Sequence, residues 1–188
     1  MHKPATLLAL SLLISIPAHA QRTVRPKEPV AEVFGGFADV HLTGNALVGN
    51  APGIVGSVAW NALPWLQVVG DTSYNTSTSN GNSVTLYGNH YGPRVFYKER
   101  NKWRASPFAE FLIGGSHISN TLSGATNSTS DLALSYKIGG GLDYNISPHF
   151  AVRVFEADLY RTGLFNSHQN NLWATAGLVI RFGGASPQ

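Results

Sequence analysis

The chain has 188 residues, no cysteine and a charged fraction of only 12%, about half the roughly 25% usual in soluble domains. The lack of cysteine excludes a disulfide framework, thiol catalysis and a lipid anchor on cysteine. A formal net charge of +3 is too weak a bias to imply nucleic-acid binding, and the length suits one domain.

Residues 1–20 read as a cleavable signal peptide. His2 and Lys3 give a basic start, 5–16 is an apolar run too short to span a bilayer, and Ala18-His19-Ala20 is a small-x-small cleavage site. The mature chain is expected to begin at Gln21, beyond the inner membrane. Residues 21–29, polar with two prolines, read as a periplasmic N-terminal linker, 30–183 as the folded domain and 184–188 as a short tail.

Eight strands are predicted at fairly even spacing, over 30–42, 52–61, 65–75, 83–97, 107–118, 131–146, 149–161 and 171–182. Their lengths match tilted transmembrane strands, and no later apolar run reaches the roughly 20 residues of a membrane helix. The closing segment, LWATAGLVIRF at 172–182, alternates strictly. Leu172, Ala174, Ala176, Leu178, Ile180 and Phe182 share one face, and Trp173, Thr175, Gly177, Val179 and Arg181 the other. A strand reads this way when lipid lies on one side and a packed or wet lumen on the other, so the expected fold is all-β, an eight-stranded antiparallel up-and-down transmembrane β-barrel.

The connections alternate in character. Residues 61–64 and 147–148 read as tight turns, whereas 43–51, 75–82, 120–130 and 162–170 read as longer loops rich in Asn, Ser, Thr and Gly. Short turns then face the periplasm and longer loops the exterior, with 98–106 as the exception. An even strand count puts both termini on the periplasmic side with Arg22, Arg25, Lys27, Lys98, Arg100, Lys102 and Arg104. These read either as solvated turns or as contacts for acidic periplasmic or inner-leaflet groups.

Carrying the alternation back from Arg181 places Asp71, Arg94, Glu110, Lys137, Asp143, Arg153 and Glu156 in the lumen with it, and Glu32 as a further candidate. A barrel of eight strands has room inside only for side chains, so these charges are expected to pair and plug it. Arg153 and Glu156 have opposite parity. A β-bulge at Val154-Phe155 would bring both inside; the alternative sets Glu156 outward near a headgroup. Trp60, Trp65, Trp103 and Phe150 at one end and Tyr74, Tyr87, Tyr160 and Phe165 at the other suggest interfacial aromatic girdles.

Two segments carry a family resemblance. GGGLDYNISPHFAVRVFEADLY at 139–160 resembles the penultimate hairpin of the OmpA transmembrane domain and its small eight-stranded relatives, which include OmpX and Ail. GLVIRFG at 177–183 is similar to the closing strand of that family. There Thr175, Gly177, Ile180 and Phe182 match the spacing of the signal read by the barrel assembly machinery. The resemblance implies an outer membrane location. The peptidoglycan-binding domain of full-length OmpA is not expected here, so tethering to the cell wall is not implied.

His117 and Ser119, two apart on one face, are the candidate pair for an enzyme site, but no acid of the same parity stands near to orient the histidine. His41, His90, His149 and His168 show no metal-ligand spacing, and no phosphate-cradling glycine motif is present, so no metal, cofactor or nucleic-acid partner is expected. The outer loops carry almost no charge, which argues against acidic glycans or lipopolysaccharide phosphate as ligands. The expectation is a monomer embedded in outer membrane lipid, structural or surface-interacting, with any surface ligand unidentified. A narrow, mostly closed pore and, more weakly, a lipid A-modifying hydrolase stand as alternatives.

Overall fold

The computed structural model describes residues 29–43, 49–97, 104–121, 128–163 and 169–183. Eight strands follow one another: β1 (Ala31–His41), β2 (Asn50–Leu63), β3 (Leu66–Ser79), β4 (Asn82–Phe96), β5 (Ala105–Thr121), β6 (Ser128–Asn145), β7 (Phe150–Thr162) and β8 (Gln169–Phe182). Each pairs antiparallel with the next, and β8 returns to β1, closing the barrel. Closure removes the open edges that an isolated sheet would expose. The signal peptide, linker residues 21–28, the tail 184–188, the cations Lys98, Arg100 and Lys102, and Trp103, Phe165 and His168 lie outside the described residues.

The strict alternation of β8 becomes two surfaces. Leu172, Leu178 and Phe182 are exposed, while Trp173, Thr175, Val179 and Arg181 are buried. Every other strand repeats this, with Phe37, Ile54, Val58, Val68, Tyr91, Phe111, Ile113, Ile138 and Leu159 facing outward. The outer wall is therefore an apolar surface suited to lipid, and the core is the lumen.

The loop expected at 75–82 is shorter than its composition suggested. β3 runs to Ser79 and β4 starts at Asn82, leaving Asn80 and Gly81 as a two-residue turn with φ of 51° and 78°. Asn-Gly suits a turn that needs positive φ at both positions, and Thr in the flanking segments favours strand. Likewise β5 and β6 stay paired as far as Thr121 and Ser128, so 120–121 and 128–130 of the segment expected as a loop are ladder, while 122–127 lie outside the described residues.

Inside, the lumen is layered. Glu32, Arg181, Asp143, Arg153, Glu156, Glu110 and Arg94 fill the half nearest the start of β1 and the end of β8. Val40, Leu42, Ala51, Val84, Leu86, Ile118 and Trp173 pack in the half towards the opposite end.

Candidate functional site in the barrel lumen

All eight charges expected inside are buried there, Lys137 at 0% and Arg153 at 1% exposure. Side chains of one parity on a closed sheet converge, and the register decides which meet. Arg94 and Glu110 are direct partners across β4 and β5, and Arg94 Nε donates to Glu110 Oε2 at 2.6 Å. Asp143 and Arg153 are partners across β6 and β7, joined by Arg153 Nε to Asp143 Oδ1 at 2.8 Å.

The bulge lies at Val154-Phe155. Arg153 pairs with Asp143 while Phe155 pairs with Leu142, so the ladder shifts by one residue and both Val154 and Phe155 point outward. Arg153 and Glu156 consequently share the lumen, with Arg153 Nη1 donating to Glu156 Oε2 at 2.6 Å. The outward position for Glu156 near a headgroup is not adopted.

Two further pairs complete the network. Arg181 Nε reaches Glu32 Oε1 at 2.9 Å and its other end lies 3.7 Å from Asp143, and Arg181 also hydrogen-bonds Asn145. Lys137 Nζ donates to Asp71 Oδ2 at 2.6 Å. Aromatic faces cover the cations: the Lys137 ammonium sits 3.7 Å from the Trp173 ring centre, and the Arg153 guanidinium lies 4.4 Å from both Phe34 and Phe108. Such contacts strengthen when desolvated, as here.

Three buried titratable groups stand beyond the expected set. His90 bridges Asp71, at 3.2 Å from Nδ1, and Ser135, at 2.8 Å from Nε2. Asp158 is 1% exposed. Tyr160, expected in an outer girdle, is instead inside the lumen at 1% exposure, hydrogen-bonded to Ser116. The parity of Glu156 explains the last two: once the bulge brings Glu156 inward, Asp158 and Tyr160 follow at steps of two. His90 has the parity of Arg94, four residues on, so the same count locates it.

Trp60, Trp65 and Phe150 are exposed on the outer wall near one end, and Tyr74 and Tyr87 pack ring to ring at 4.9 Å on it. Of the four residues expected to form an assembly signal, Ile180 and Phe182 face lipid while Thr175 and Gly177 face inward. His117 and Ser119 share the outer face of β5. Their cross-strand partners are Tyr87 and Leu132 for His117 and Thr85 and Ser130 for Ser119, none of them acidic.

The barrel so built has counterparts among known proteins. The chain matches the outer membrane protein beta-barrel domain over residues 6–183. No curated protein sequence matches it. Among solved structures it is similar to Ail, the attachment invasion locus protein of Yersinia pestis, at 19% identity and TM-score 0.58, covering 81% of this chain and 99% of that one. It is also similar to Neisserial surface protein A, at 14% identity and TM-score 0.62, covering 81% and 97%. A third is the N-terminal β-barrel domain of Pseudomonas aeruginosa OprF, at 14% identity and TM-score 0.52, covering 82% and 98%. A further Ail structure is a complex with the heparin analogue sucrose octasulfate. The chain belongs to the outer membrane protein β-barrel domain family and is a small eight-stranded barrel of the outer membrane.

Proposed function

We propose that the protein is a plugged barrel with a structural or surface-interacting role, inserted as a monomer and not a conduit. The observation that carries this reading is Arg153, 1% exposed inside the lumen and shared between Asp143 and Glu156. A charge so paired holds its neighbours in place, because leaving either partner alone in a dry interior is strongly unfavourable. The layer of Val40, Leu42, Val84, Leu86 and Ile118 supports the same conclusion, since buried side chains fill that half of the lumen as well.

The short Thr175, Gly177, Ile180, Phe182 pattern fits a chain handed to the barrel assembly machinery. The lipid-facing setting of His117 and Ser119, with no acid opposite, supports a non-enzymatic role over lipid A hydrolysis. Ail was solved with a sulfated sugar, but that chemistry calls for clustered cations, and Arg161 is the one Lys or Arg near the loop ends of the described strands. A neutral surface ligand is the better fit here. Single-channel recording of the refolded chain in planar bilayers tests the reading: a silent baseline is expected, and regular stepwise currents would make it a pore.

A further inference from the structure

Glu110, Glu156 and Asp158 each bring one carboxylate oxygen within 4.8 Å of the others in the closed interior. Glu110 stands on β5 and the other two on β7, with β6 between. They can meet because Gly139 of β6, register partner of both Glu110 and Asp158, has no side chain. A Cβ at Gly139 would lie 2.2 Å from Asp158 Oδ1.

The two arginines take only part of this cluster. Arg94 holds Oε2 of Glu110, and Arg153 holds Oε2 of Glu156. Oε1 of Glu110 and both oxygens of Asp158 are buried with no hydrogen-bond partner. Beyond the carboxylates, the hydroxyl of Thr175, buried and directly opposite Glu156 on β8, also has no partner. Lys137 is engaged with Asp71. Among the described residues the buried set holds six carboxylates, Glu32, Asp71, Glu110, Asp143, Glu156 and Asp158, against four Lys and Arg cations. In a dry interior such an excess of carboxylates calls for a neutralising proton or cation.

We propose that Glu110, Glu156 and Asp158, with Thr175 beside them, bind one divalent cation of the calcium class inside the barrel. The donors are all oxygen, which selects a hard ion over the transition metals that favour imidazole or thiolate. Oxygens 4.8 Å apart or less suit bonds of about 2.3–2.6 Å, and calcium accepts irregular geometry where magnesium retains several waters. The ion balances the excess charge and ties β5 to β7 across β6. It enters as the barrel folds, because the packed lumen then encloses it.

The test uses the full chain, stripped with chelator in urea and refolded in detergent with or without Ca2+, and Tb3+ as a luminescent substitute. Trp173, directly opposite Asp158 on β8, is placed to sensitise Tb3+. The expected results are saturable Tb3+ luminescence competed by Ca2+, one calcium per chain retained after desalting, and a thermal midpoint that rises with the logarithm of Ca2+ concentration. Asp158→Asn should weaken both the Tb3+ and the Ca2+ response at least tenfold. Absence of retained calcium in refolded wild type overturns the proposal even if the variant fails to fold. So does an undiminished response in folded Asp158→Asn, or a midpoint that moves with pH and not with Ca2+, which would mean that Asp158 and Glu156 share a proton.

Discussion

Arg153 and Glu156 meet at 2.6 Å inside the lumen although they have opposite parity on one strand. Regular pleating would send one of them into lipid. The extra residue at Val154-Phe155 removes that conflict, and both bulged side chains are apolar and outward.

Deleting Val154 should therefore be tolerated, since a regular strand would then still hold Arg153 and Glu156 on the inner face. Deleting Ala157 should not, because it sets Glu156 and Asp158 on opposite faces. Heat-modifiable gel mobility measures the outcome. Folded Ala157-deleted protein alongside misfolded Val154-deleted protein would contradict the bulge argument.

Lys137 is fully buried and bonded to Asp71. Lys137→Met leaves that carboxylate short of its main partner and should lower stability by about 3–5 kcal/mol. Arg104 is exposed, and Arg104→Ala should change stability by less than about 0.5 kcal/mol. Urea titration of the detergent-refolded proteins compares them.

Much of this was legible beforehand because one chemical contrast, lipid outside and paired charges inside, is written with a period of two. Arg181 fixes the parity of β8, and antiparallel neighbours repeat it, so Asp71, Arg94, Glu110 and Lys137 could be placed without a structure. Partners could not, since register is a property of strand pairs: nothing local to Lys137 names Asp71, 66 residues away. Tyr160 lies in the lumen and not in a girdle because its parity relative to Glu156, and not its strand-end position, decides its face. The loop at 75–82 was overestimated because Ser, Thr and Asn are common both in loops and in strands that continue beyond the membrane.

Asn80 and Gly81 both hold positive φ, so the β3–β4 hairpin depends on residues that tolerate it. Gly81→Val should cost about 1–2 kcal/mol, read as a lower urea midpoint with the same folded mobility. No change would mean that the turn relaxes to another form.

Phe182 ends β8 on the lipid face, opposite Ala31. If the closing strand carries the assembly signal, Phe182→Ala should accumulate unfolded chain in the periplasm, while removal of residues 184–188 should leave insertion normal. Fractionation with gel mobility decides, and efficient insertion of Phe182→Ala would remove the signal assignment.

A packed core of paired charges and a wet channel differ in how strongly Arg153 and Glu156 depend on each other. A double-mutant cycle on Arg153→Met and Glu156→Gln measures this most directly, by urea unfolding of the single and double variants. A packed core predicts costly single changes and a coupling of about 1–3 kcal/mol between them; two nearly harmless substitutions with additive effects would show that water already screens the pair, and would contradict the plug.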